Sequence, residues 1–181
     1  DFFGNPYVVA LFDTPHRELV VDSRSRVEVT RVAVAEADAP ELWERVARDA
    51  LADDALGPES PAHFIFPSPL VTLAGDVTAY ARESFPEGRP AFAGAYELMR
   101  RIRDEFVYEP EATDVSTPLA QAFAARRGVC QDFAHIMIAG LRGLGLPARY
   151  VSGYIRTVPP EGEKRLEGAD ASHAWVEVWC G

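Results

Sequence analysis

The chain has 181 residues, of which 48% are hydrophobic and 25% charged, and its net charge is -10. That length carries a real core in one domain or two small ones, and the composition excludes general disorder. The acidic balance excludes nucleic acid as the main partner, because phosphate binding needs a basic footprint, and no apolar run approaches the roughly 18 residues of a membrane span.

The N-terminal part reads as β. Tyr7 to Phe12 is a short apolar run. Within Glu18 to Val34, Val21, Val27 and Val29 share one parity and Val32 and Val34 the other. A switch of parity predicts a bulge or two strands. His16 follows Pro15 in a turn and reads as a surface histidine.

Asp38-Ala39-Pro40-Glu41 predicts a helix start: Asp38 as cap, Pro40 in the first turn, Glu41 at capping-box distance. Leu42, Trp43, Val46, Ala47, Ala50 and Leu51 then form one helical stripe, with Trp43 read as core. Gly57 to Pro69 is rich in proline and reads as a connector. The boundary falls there, dividing a β-rich region over 1–68 from a second unit over 69–181.

The second unit opens with helices. One is predicted over Leu73 to Glu83, stopped by Pro86-Glu87-Gly88. Phe92, Tyr96, Met99, Ile102 and Phe106 keep helical spacing over Ala91 to Val107. Thr117-Pro118 starts a short helix through Ala125 that ends at Gly128. Gln131 to Leu144 is apolar on most sides, which predicts a buried central helix ended by Gly145 and Pro147. Ala148 to Thr157 reads as a strand, Val158 to Ala169 as a mobile loop, and Ser172 to Trp179 as an alternating strand. The stretch from Ala148 to Ser172 is a candidate lid over the site.

Cys130 stands at the start of the buried helix. A free thiol titrates near 8.5, and helix N-terminal amides lower catalytic thiols to roughly 3.5–7.5. Its own backbone N–H is free in a first turn and able to serve an oxyanion. His173 lies on the last predicted strand. There His173, Trp175, Glu177 and Trp179 share one face; Ala174, Val176 and Val178 share the other, which is expected to pack on the helix. Periodicity does not decide which face meets Cys130. A thiol nucleophile at a helix start and a histidine base on a separate element make the pair a thiol enzyme needs.

Other candidates are weaker. His135 is five residues beyond Cys130, a rotation of about 140° and a rise of about 7.5 Å, so it points away from the sulfur. His63 lies in the connector, and both read as structural or surface. Among carboxylates that could orient His173, Glu177 is four strand residues away, about 13 Å. Asp170 is in a loop, and Asp132 would oppose a thiolate if it faced one. None satisfies the geometry. A Cys130–Cys180 disulfide is a less specific reading, since the chain is large enough to fold without one. No zinc spacing and no acidic calcium loop is present, so neither a metal nor an organic cofactor is expected.

Three ordered stretches resemble the bacterial transglutaminase-like proteins, often described as cysteine proteases: Gly128 to His135, Leu144 to Tyr154, and Asp170 to Val178. Phe106 to Pro110 and Ser116 to Leu119 match what precedes the cysteine there, and Asp1 to Asn5 with Pro15 to Leu19 match the N-terminal β region. The resemblance implies an α+β fold with a papain-like core, in which the helix bearing the cysteine packs on an antiparallel sheet. It implies Cys130 and His173 as two members of a Cys-His-Asp triad. The family's aspartate lies on the next strand, past Gly181, so the third member is expected outside the chain and the sequence to be trimmed at both ends. The expected activity is acyl transfer at an amide bond through a Cys thioester, with water as acceptor and an amine as the other choice. Peptide or protein amides are the expected substrates, without a nucleic acid or membrane partner. No signal-peptide pattern precedes the fold, and the cytoplasm is the expected location. The competing reading is a peptide- or protein-binding module on the same fold, presenting Trp175 and Trp179.

Overall fold

A computed structural model describes residues 1–21, 28, 30, 40–155 and 172–181. The elements run α1 (Trp43–Ala52), a 3₁₀ turn (Pro61–Phe64), α2 (Gly75–Arg82), α3 (Ala91–Glu105), β1 (Val107–Tyr108), α4 (Leu119–Ala125), β2 (Arg127–Gly128), α5 (Cys130–Gly143), β3 (Ala148–Tyr154) and β4 (Ser172–Val178). β1 pairs parallel to β2, and β3 pairs antiparallel to β4 in the register Ala148↔Val178 to Tyr154↔Ser172.

α5 is the centre of the molecule. From Ala134 to Leu141 every residue is buried, because α2, α3, α4 and both strands of the β3–β4 sheet pack around it. Such a helix has no polar face to give to water, which is what its sequence shows. α2 comes closest, through glycine: a Cβ at Gly140 would sit 2.7 Å from Cβ of Ala81, and one at Gly143 would overlap Thr78. The C-terminal end of α5 is tied down by Arg142. Its guanidinium donates to the Ala148 carbonyl from Nε (3.0 Å) and Nη2 (2.9 Å), and from Nη1 to the Phe66 carbonyl (2.8 Å) and Ser68 Oγ (3.3 Å). The connector and the start of β3 are thereby fastened to one side chain.

α3 corrects its predicted stripe. The buried face is Ala91, Gly94, Ala95, Leu98 and Ile102, while Tyr96 and Met99 are exposed and Phe92 stacks on Tyr96 at 6.3 Å. Size decides here: Gly94 leaves room for the buried Phe85 ring, which a Cβ would strike. α1 begins at Trp43, later than predicted, with Leu42 in the cap position and no side-chain cap. Asp38 lies outside the described residues. Trp43 is half-buried, edge-on to Phe85 at 6.1 Å, with Nε1 donating to the Pro86 carbonyl at 3.0 Å. Val46 and Ala50 are fully buried, whereas Leu51 of the same predicted stripe is exposed.

The β reading of the N-terminal part finds no strand among the described residues of 1–68. Val8, Val9 and Leu11 are almost fully exposed, and this apolar run pairs with no strand among the described residues. Val27, Val29, Val32 and Val34 lie outside the described residues. Residues 1–5 fold back on themselves, with the Asp1 carboxylate accepting from Phe3 N and Asn5 N, and Phe2 and Phe3 packing on His63 and Phe64.

Candidate functional site

Cys130 is the first residue of α5 and is a half-buried free thiol. What precedes it explains the local geometry. α4 ends at Arg126 in the left-handed conformation (φ 53°), with the guanidinium of Arg126 lying over the rings of Tyr80, Phe106 and Phe123 at 4.4–4.6 Å. Burial, and then Glu105, push the Tyr80 phenol in this group up to about 12. β2 then carries the chain to Gly128, whose carbonyl accepts from Glu109 N at 2.9 Å, and Val129 takes the cap position of α5.

Valine has no side-chain acceptor, so the usual cap is missing. Asp132 supplies another. Its carboxylate, 4% exposed, turns back and accepts from Val129 N (2.8 Å) and from Thr113 Oγ1 (2.6 Å). Asp132 thus has a role at the helix start. Its neighbour Gly128 makes room: a Cβ there would stand 2.5 Å from Asp132 Oδ2. The first helical bond runs from Phe133 N to the Val129 carbonyl (3.1 Å), and among the described residues nothing accepts from the N–H of Cys130 or of Gln131. Two amide donors and the positive end of a 14-residue helix therefore stand beside the sulfur.

The sheet meets this end of α5 with Tyr150. Tyr150 is paired across the sheet with Val176, on the face whose Val176 and Val178 pack on the core, and its ring lies 5.3 Å from that of His135. Burial first, and the nearby Cys130 second, push the Tyr150 phenol above its ordinary range. His135 is buried, not on the surface, and burial holds it below the ordinary histidine value against the opposing pull of Asp132. Tyr150 and Thr113 carried no chemical signal in the sequence: one reads as a strand residue, the other as part of a loop.

β4 orients as its alternation predicts, with the aliphatic side toward α5. His173 and Trp175 fall on the other face, where their rings are 6.2 Å apart and Glu177 holds Arg149 at 2.7 Å. Gly153, across from His173, leaves space for the Trp175 ring, 3.0 Å from where a Cβ would be. The structure therefore brings Cys130 to the seam between α5 and the sheet, and His173 to the second-to-last rung of that sheet. No hydrogen bond joins the two among the described residues. Asp170 and most of the candidate lid lie outside the described residues; Ala148 to Tyr154 is sheet. Cys180 is also a free thiol, half-buried, with burial pushing it above the ordinary thiol value. Among the described residues no helix is long and apolar enough to cross a membrane.

The family described as the transglutaminase-like superfamily matches residues 78–181. An uncharacterized protein of Mycobacterium tuberculosis is 38% identical over 99% of this chain and 56% of its own length. A protein-glutamine gamma-glutamyltransferase of Pseudomonas aeruginosa is 35% identical over 55% of this chain and 16% of its own. The crystal structure of a "Putative Cysteine Protease" from Cytophaga hutchinsonii superposes with a TM-score of 0.56 at 27% identity, covering 68% of this chain and 39% of that one. The chain spans about half the length of the mycobacterial relatives it matches.

Proposed function

This chain belongs to the transglutaminase-like superfamily, and on that premise we propose that it carries out thiol-dependent acyl transfer at a peptide or protein amide, with Cys130 as nucleophile and His173 as base. The observation that carries the reading is Cys130 at the first position of the buried α5, beside two amide donors that find no acceptor among the described residues. The sulfur stands at the start of a helix that is buried from Ala134 to Leu141, and helix starts are where catalytic thiols are commonly found.

The thiolate attacks the amide carbonyl carbon, and the oxyanion is received by the Cys130 amide. The C–N bond breaks as His173 gives its proton to the departing amine, leaving a thioester. Water, deprotonated by His173, then attacks the thioester; the acid leaves and the thiol is restored. An amine in place of water would give a new amide. Water is the acceptor we assign, because it is present at bulk concentration and nothing among the described residues of the α5–sheet seam marks an amine site. For the proton transfers the His173 ring has to come within hydrogen-bond reach of Cys130. Catalytic hydrogen bonds are often long before substrate arrives.

The test is the rate of iodoacetamide alkylation at Cys130 against pH, read by mass spectrometry, with Cys180 as a slow reference in the same molecule. Fast reaction at Cys130 well below pH 8, lost in His173→Ala, supports the pair. An ordinary thiol profile in both proteins removes it.

A further inference from the structure

We infer that Asp132 is the positioning residue of the reactive end of α5: by capping from inside the helix, with Val129 N–H and the Thr113 hydroxyl as its donors, it orders the first turn while the Cys130 and Gln131 amides keep no acceptor among the described residues. The chemistry this serves rests on the function proposed above; the geometry does not.

A helix begins with orphan N–H groups, and most begin with Ser, Thr, Asp or Asn, whose side chain takes the N–H of the second or third residue. Such a cap at position 129 would consume a donor the sulfur needs. A valine there, with no other device, would leave the turn to fray. Asp132 resolves the conflict because it bonds outside the reactive turn, to Val129 N at 2.8 Å, before the cysteine. Burial at 4% exposure would be costly for a carboxylate without donors, and both donors here are short. The Thr113 bond also pins the 109–118 segment against the helix start. The absence of a side chain at Gly128 is a condition for the arrangement, since a Cβ would meet Asp132 at 2.5–2.9 Å. Three positions scattered over the chain thus converge on one turn.

The experiment is the same alkylation profile in Asp132→Ala, Asp132→Asn and Thr113→Val, with Cys180 again as internal reference. Relative to Asp132→Asn, which lacks the same charge but keeps an acceptor oxygen, Asp132→Ala slows alkylation of Cys130 at acid pH about tenfold. Asp132→Asn keeps an acceptor oxygen and restores the rate to within about threefold, the rescue a positioning role predicts. Thr113→Val slows alkylation the same way by less, about twofold in rate. An Asp132→Ala profile that superimposes on that of Asp132→Asn overturns the inference. So does a uniform acceleration at Cys130 and Cys180 together, which reports loosening of the fold alone. Should Asp132→Ala fail to fold, Thr113→Val decides, and an unmoved midpoint overturns it. An ordinary wild-type midpoint, with Asp132→Ala still slower than Asp132→Asn, keeps the inference and sinks the acyl-transfer reading. An acid wild-type midpoint, with the two variants alike, does the reverse.

Discussion

At its C-terminal end α5 is tied to the chain by the four hydrogen bonds of Arg142, and its last carbonyls accept from Leu144, Gly145 and Leu146. At its N-terminal end it is held by one carboxylate and keeps donors to spare. The two ends of one helix have been given different tasks. The first satisfies every group it can and serves as an anchor. The second withholds satisfaction where a reacting oxygen or sulfur would use it. The contrast shows that amide donors without an acceptor at one helix terminus are informative when the other terminus is tied down.

The largest expected effect breaks the reactive end alone. Cys130→Ala abolishes amide hydrolysis or transfer, by at least about a thousandfold in kcat/KM, and leaves the thermal melt near that of the wild type. Next, Gly140→Val breaks both ends at once, because the added carbons have to displace Ala81 of α2. Overpacking of this kind costs about 3 kcal/mol in a denaturant titration, and alkylation at Cys180 should rise with it. Arg142→Met keeps the aliphatic stem but strands the Ala148 and Phe66 carbonyls. It lowers stability by about 2 kcal/mol, with the Cys130 midpoint unmoved. A midpoint that moved would show the anchor and the reactive end to be coupled.

The smallest effect is in pH. Burial keeps the folded His135 below its ordinary value of 6.5, so the unfolded chain takes up the proton first. Stability contributed by neutral His135 is therefore complete above that value and is lost as pH falls through the lower, folded one. Melts followed from neutral to about pH 5 should decline, and His135→Met should flatten the decline. An unchanged slope in that variant would place the sensitivity elsewhere.

Much of this was legible in the residues, for identifiable reasons. α5 declares itself because a helix apolar on most sides has only one place to be, and Cys130 sits between a glycine-containing approach and that run. The aliphatic side of β4 follows from period-two alternation. The face of α3 was not legible, because closeness of approach selected Ala91, Gly94 and Ala95 over the more hydrophobic Phe92, Tyr96 and Met99. Periodic hydrophobicity does not see small residues as contacts. The role of Asp132 was not legible for a related reason: a carboxylate one turn into a helix does not tell where its side chain turns, which here is back to Val129 N. A valine at the cap followed three residues later by aspartate is the pattern that could have signalled it. Thr113 reaches the same carboxylate from a distant loop, and no local pattern reports such a contact.

The glycine contacts of α5 with α2 also bear on how the protein can change in length. Gly140 and Gly143 allow only one rotational setting of the helix against Ala81 and Thr78. Inserting a single residue between Cys130 and Gly140 would turn the sulfur by about 100° and lift it by about 1.5 Å relative to that seat. Deletion would do the same in the opposite sense. This stretch of α5 has therefore to be inherited at constant length.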